Sequence, residues 1–453
     1  MNTLPSDATG ALNPEELAAS LKDLAARILD EARHQGATGA EVAAGDSTGL
    51  VVAVRRGELE TVEFTNDRGF GITVYMGARK GNASTTDAGP DAIRETVRAA
   101  LNIAKYTEED SCNGLAEASL MARELPDLDL HHPWDVDVSS ATERALEAEA
   151  AGLAFDHRIV NTEGARVATG RGCHVYGNSH GFLEAGWGTR HSTSCALIAA
   201  DDNGMKPEDW YTVSRDPADL EDPVEVGREA ARRAVGRLGC RPVETGSYPV
   251  LFAPPVAAGL ISHLLSAIGG RALYRRESYL VDSLHRQVAA DGITLREEPH
   301  RPKGLASAAY DGDGVATRAK SFIEKGVVAS YILDSYSGRR LGMTTTGNAG
   351  GYFNLDVVAD VRPVAELMRE MDTGLLVTSL MGQGVNLVTG DYSRGAGGVW
   401  IAGGEPSHPV DEVTIAANLD DVFKGIVACG DDIDRRGNIR SGSLLVREMT
   451  VAN

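Results

Sequence analysis

This 453-residue chain is short of four things: aromatic side chains, basic charge, long apolar runs and closely spaced cysteines. Aromatics make up only 5%, although a hydrophobic content of 42% is ample for globular packing. Lys and Arg total 44 against 65 Asp and Glu, a formal charge of −21. A surface that acidic repels phosphate backbones and anionic lipid, which argues against direct nucleic-acid binding and leaves plain solvation as the simplest use of the charge. No apolar stretch approaches the length of a membrane span. The start, Met1 to Gly10, has neither the basic opening nor the apolar core of an export signal, so the expected location is cytoplasmic. The five cysteines are odd in number and contain no C-x-x-C pair, which fits reduced thiols rather than a disulfide framework.

What is present points to an α+β protein of two or three domains, since the chain is too long for one hydrophobic core. Fifty-one glycines favour many turns and strand ends over long helices. Residues 1–12 read as a disordered lead. Asn13-Pro14-Glu15-Glu16 then combines an N-cap, a proline at the first helical position and an acid three residues on, and Leu17, Leu21, Leu24 and Ile28 recur at helical spacing. From Glu41 to Thr86 alternation predicts an antiparallel meander with turns at Arg56-Gly57, near Asn66-Asp67 and at Gly77. A second helix follows Pro90. Residues 111–137 read as a linker, after which Ser140 and Glu143 suggest a capping box, a helix to about Phe155 and strands to about Ala200. Asn66-Asp-Arg-Gly-Phe70 returns as Asn178-Ser-His-Gly-Phe182, which suggests that helix plus meander is duplicated. A basic helix over 224–238 closes the N-terminal half. The remainder predicts a β-rich barrel or sandwich with a few helices, giving domains at 13–110, 138–240 and 241–453.

The chemistry is scarcer still. Within the apolar segment Pro254 to Gly270, His263 stands where a zinc-hydrolase helix would place its first ligand. Such a helix needs a Glu beside that His to take a proton from the metal-bound water, and a second ligand further on. Leu264 and Ile268 hold those places, and neither can do either job. Positions five apart stand about 140° apart around a helix, so such a pair needs a helix that distorts or ends; Gly269-Gly270 supply an end, or a plain glycine cap. A lone His in an apolar helix is otherwise a structural residue.

Cys173, His174, His180, His191 and Cys195 gather soft ligands, but their spacing matches no zinc pattern, and alternation sends several to opposite strand faces. Asp311-Gly-Asp313-Gly opens like a calcium loop yet has Val315 at the fifth position, so a tight turn suffices. Gly395-Ala-Gly-Gly398 reads as a turn between strands. Asp391-Tyr392-Ser393-Arg394 is the sharpest polar cluster: Arg394 could hold a carboxylate or a peptide carbonyl with Tyr392 packing on the chain, or Asp391 and Arg394 could simply pair across a turn.

Several longer segments, in this order, carry a family resemblance: Gly69 to Tyr75, Asn161 to Gly164, Gly177 to Gly181, Gly304 to Ser307, Ser335-Tyr-Ser337 with Arg340-Leu-Gly342, Met381 to Gly384 and Thr389 to Gly395. Together they make the chain similar to the TldD/PmbA peptidases, in particular the TldE (PmbA) type, a family also described as a modulator of DNA gyrase. The resemblance implies a partner subunit that carries H-E-x-x-x-H and a late Cys as zinc ligands, while this type lacks them. Here those positions fall at His263, Leu264, Ile268 and, for the late Cys, Ser441. The implied function is the non-zinc subunit of a heteromeric metallopeptidase acting on unfolded or short peptides, with no catalytic residue or metal of its own, zinc in a TldD-like partner, and a homodimer when alone. Candidate peptide contacts are Gln383, Asn386, Asp391, Tyr392, Ser393 and Arg394. The alternatives are a non-enzymatic regulator or scaffold, and an independent hydrolase around Cys173 to Cys195.

Overall fold

The computed structural model describes residues 13–202 and 204–453; the lead segment 1–12 lies outside the described residues. Helix α1 (Pro14–His34) begins on the expected capping box, Asn13 accepting from the Glu16 amide, and buries Leu21, Leu24 and Ile28. Strands β1 (Gly39–Arg55), β2 (Glu58–Met76) and β3 (Arg79–Thr85) and helix α2 (Pro90–Tyr106) follow. The same order returns as α3 (Val138–Leu153), β4 (Ile159–Asn178), β5 (Leu183–Asp201), β6 (Gly204–Ser214) and α4 (Pro223–Gly236). The six strands run in the order β3-β2-β1-β4-β5-β6, mirrored about its middle. The duplication is therefore real in element order, but its sequence marker is not: Asn66 to Phe70 lies inside β2, whereas Asn178 to Phe182 spans the β4–β5 connection, with Gly181 at φ +90°.

Two details differ from expectation. No turn forms at Asn66-Asp67, because that stretch of β2 is exposed and its polar residues continue a strand rather than break one. Helix α3 is capped by Asp137, whose side chain accepts from the Ser140 amide, so it starts just before the proposed Ser140–Glu143 box. The turn at Arg56-Gly57 does form, both residues having positive φ, and the buried Glu149 carboxylate accepts both of their amides at 2.8 Å.

Contacts divide the chain into two compact units: residues to Leu50 with Phe64–Met121 and Gly170–Thr189, and Val51–Glu63 with Ala122–Thr169 and Arg190–Asn453. The first is cored by α1 and α2 against Val42, Ile72, Val74 and Val175. The second contains the whole C-terminal half. Its elements are β7 (Gly246–Phe252), α5 (Pro254–Ala267), α6 (Gly270–Tyr274), β8 (Thr294–Glu297), β9 (Lys320–Glu324), β10 (Val327–Val328), α7 (Ser335–Arg340), β11 (Leu355–Val358), β12 (Val361–Arg362) and α8 (Val364–Met371). They continue with β13 (Gly374–Met381), β14 (Val385–Asn386), β15 (Asp391–Ala402), β16 (Glu405–Asn418), α9 (Leu419–Lys424), β17 (Ile426–Gly430), β18 (Ile439–Arg440) and β19 (Leu444–Ala452).

These strands make an eight-stranded sheet ordered β12-β17-β19-β16-β15-β13-β7, with β14 added on β15, in which β19 also pairs with β7 and so closes a five-stranded barrel of β7, β13, β15, β16 and β19; a separate five-stranded sheet runs β10-β9-β8-β11-β18. The fold is α+β, with the expected β-rich C-terminal half. Gly395 to Gly398 is not a turn but the middle of β15. A side chain at Gly398 would stand 1.9 Å from the Leu376 carbonyl, so glycine there is what lets β13 lie against β15.

Candidate functional site

Helix α5 starts on Pro254-Pro255, where the missing amide donors cost nothing. It sits on the core of the closed barrel, burying Leu260, Ile261, Leu264 and Leu265. Leu264 and Ile268 are both 0% exposed and belong to that core. The places a hydrolytic Glu and a second ligand would occupy thus point into packed side chains. His263 lies on the opposite, half-buried side. The helix stops where the glycines predict: the Ile268 amide bonds to the Leu264 carbonyl at 3.2 Å, and the Gly270 amide turns to the Ile332 carbonyl at 2.9 Å.

What His263 meets is β15. Its ring stands edge-on to Tyr392, with centroids 6.1 Å apart and planes at 66°. Alternation along β15 puts Arg394 on the same face as Tyr392. Burial, then the neighbouring Arg394 cation, hold the His263 pKa below its usual 6.5, so the imidazole is neutral at physiological pH. Tyr392 is 1% exposed. Burial pushes its phenol up to about 12, with Arg394 opposing the rise, so it stays protonated. Arg394 lies beside that hydroxyl without the geometry of a hydrogen bond, and Tyr392 Oη and Arg394 Nε are each left without a partner in the chain. Among the described residues no carboxylate pairs with Arg394.

Asp391 is not that partner. It is exposed, accepts from the Thr389 hydroxyl at 2.6 Å, and stands three residues from Arg394 on a strand, hence on the other face. The cluster 391–394, expected between strands, forms the start of β15 because β14 folds back on it: Val385 pairs with Tyr392 and Asn386 with Asp391. Gly384 makes that approach possible, since a Cβ there would stand 1.8 Å from the Ser393 carbonyl. Gln383, Asn386 and Ser393 are exposed along this hairpin, and the Asn386 side chain accepts from the Val388 amide at 2.9 Å.

Sequence reasoning missed what lies at the end of α5. A cavity of about 390 Å³ opens there, walled by Ser266, Arg271, Asp334, Asn348 and Leu387 among others. Ser266 is one turn from His263 and shares its face of the helix. Asn348 is fixed by donating to the fully buried Glu297 at 2.9 Å, itself held by Lys320 at 2.6 Å, and Asp334 caps α7 through the Ser337 amide. The adjacent Gly350-Gly351 was the available signal, both residues having positive φ.

The remaining candidates lie elsewhere. Ser441 is 1% exposed, bridges to Asp434 and turns its hydroxyl to the Gly442 carbonyl at 2.8 Å, beside the buried Cys429 thiol. Cys173 and His174 belong to the first unit, as does the exposed His180, while His191 and Cys195 belong to the second. The His191 imidazole is engaged by Thr169 and by the His132 carbonyl, each at 2.8 Å. Burial pushes Cys173 to about 11 and Cys195 to about 12, so both are inert thiols. No group of three or more His, Cys, Asp or Glu able to hold a metal occurs among the described residues. Asp311 does form a tight turn, accepting the Asp313 and Val315 amides at 2.9 Å and Ala349 at 2.8 Å.

A mixed fold carrying this helix against a closed barrel matches one family along nearly its whole length. The PmbA/TldA metallopeptidase domain 1 covers residues 40–104, the central domain 131–238 and the C-terminal domain 245–453. The chain belongs to the PmbA/TldD metallopeptidase family. It is 47% identical over 414 residues to metalloprotease PmbA of Escherichia coli O157:H7, covering 91% of this chain and 92% of that one. Among solved structures it resembles a Bacteroides thetaiotaomicron protein named as a modulator of DNA gyrase, with 26% identity, 95% and 98% coverage and a TM-score of 0.91. TldE of Thermococcus kodakarensis shares the fold at 19% identity and a TM-score of 0.83, over 95% and 100% of the two chains.

Proposed function

We propose that this chain is the TldE-like, non-zinc subunit of a two-component cytoplasmic peptidase, working with a TldD-like partner that holds the metal. The observation that carries the reading is the surroundings of His263. Its helix aims Leu264 and Ile268 into the core, and the Arg394 cation on the neighbouring strand acts on its imidazole. A site that offers one neutral imidazole beside an uncompensated cation is a poor seat for a divalent ion, since it repels the charge and supplies one donor where zinc takes several. The residues present therefore do not fit a catalytic zinc, and no step of hydrolysis is routed through them.

What the chain keeps is surface for an extended peptide. The β14–β15 hairpin presents Gln383, Asn386, Asp391 and Ser393 to solvent, and among the described residues the two-residue strand β14 pairs only with β15. A peptide added there would gain main-chain hydrogen bonds without regard to its sequence. A charge of −21 and no basic surplus give no support to a direct grip on DNA.

The test is to purify the chain alone, a TldD-like chain alone, and the two together, and to follow cleavage of an unfolded polypeptide with and without chelator. The reading expects chelator-sensitive cleavage in the mixture and none from this chain by itself. Cleavage by the mixture that is unchanged when this chain is withdrawn contradicts it.

A further inference from the structure

Tyr392 and Arg394 present an electrostatic problem that the chain does not solve internally. A buried hydroxyl with no acceptor loses its hydration without recompense, and a half-buried guanidinium with no carboxylate adds to that. Both unpartnered donors lie on one face of β15 beside a neutral imidazole, and Arg394 remains reachable from solvent. Two donors side by side lack a single thing, an acceptor with two lone-pair-bearing oxygens.

We propose that Tyr392, Arg394 and His263 form a carboxylate-binding subsite, which takes the C-terminal carboxylate or an acidic side chain of a bound peptide. One guanidinium and one phenol match the two oxygens of one carboxylate. A phosphate, with more charge and more oxygens, would draw on further cations, and Arg394 is the cation at this place. The face of α5 that carries His263 continues through Ser266 to the 390 Å³ cavity, and Leu387 of the β14–β15 hairpin walls the same cavity. The peptide body thus has room on one side of the anchored carboxylate. The inference deepens the peptide-binding half of the proposed function and rests on it, but it is independent of the partner.

The probes are N-acetyl-trialanine with a free C-terminus, the same peptide as its amide, and an amidated acetyl-Ala-Asp-Ala. Each is titrated into the isolated full-length chain while the His263 imidazole is followed by NMR. The free acid should saturate the His263 shift at a concentration at least about tenfold below the amide, a discrimination typical of one charge-assisted contact. The aspartyl peptide shows whether a side-chain carboxylate serves as well. Arg394→Met, which keeps the aliphatic stem, should erase the acid-over-amide preference, and Tyr392→Phe should weaken it severalfold with the fold intact by circular dichroism. Equal binding of acid and amide overturns the proposal, as does a preference that survives in folded Arg394→Met, or no shift with any peptide up to about 10 mM. None of these results bears on whether cleavage needs the partner chain, so the two ideas fail separately.

Discussion

At the residue scale, the account turns on three side chains that the sequence showed as two unrelated features. His263 stood out because its neighbours were wrong for zinc, and Tyr392 with Arg394 because polar residues cluster there. Nothing in periodicity tells a helix which strand far along the chain it will meet, so their convergence was not legible. Two outcomes follow from it. Tyr392→Phe removes an unpaired buried hydroxyl while keeping the ring against His263, so the unliganded protein should gain about 1 kcal/mol in thermal or denaturant unfolding, where an ordinary buried Tyr→Phe loses stability. The His263 pKa lies below its unfolded value of 6.5. Its contribution to stability is therefore present above pH 6.5 and is lost as the pH falls through the lowered value. Arg394→Met removes the second cause of that depression, and NMR titration should find the His263 pKa moved back up toward 6.5. An unchanged pKa would mean that the guanidinium does not face the imidazole.

At the element scale, strong patterns were readable and close approaches were not. The capping box of α1, the helix after Pro90 and the turn at Arg56-Gly57 each rest on local chemistry, and each formed. The glycine-rich stretch Gly395 to Gly398 was read as a turn because glycine usually marks one, yet Gly395 and Gly398, like Gly384, serve strand contact in this barrel. Helices α6 and α7, at five and six residues, are too short for a hydrophobic period to show. The glycine reading makes a direct prediction. Gly398→Ala must push β13 away from β15 and should cost about 3 kcal/mol, seen as a lowered midpoint in denaturant unfolding, whereas alanine at Gly36, which has open space but positive φ, should cost about 1 kcal/mol. Similar losses at both positions would contradict the packing argument.

At the scale of the whole molecule, the α+β class, the repeated helix-plus-meander order and the β-rich C-terminal half were visible in the sequence because they depend on element type and order. The paired repeat was visible for a partly wrong reason, since the matching pentapeptides occupy different places in their repeats. Family membership was carried by the order of short segments rather than by any one of them, and it brings with it the name metalloprotease. The proposed non-zinc role rests on the surroundings of His263, where packed leucine and isoleucine and a neighbouring cation lie. Among the described residues no helix is long and apolar enough to cross a membrane. The account's central claim is that this polypeptide shapes and holds peptide while another supplies the metal. The most direct measurement is cleavage of an unfolded polypeptide by the purified chain alone, with its metal content determined on the same sample. The prediction is no stoichiometric zinc and no chelator-sensitive cleavage until a TldD-like chain is added; tightly held zinc with chelator-sensitive cleavage by the unaccompanied chain would contradict it.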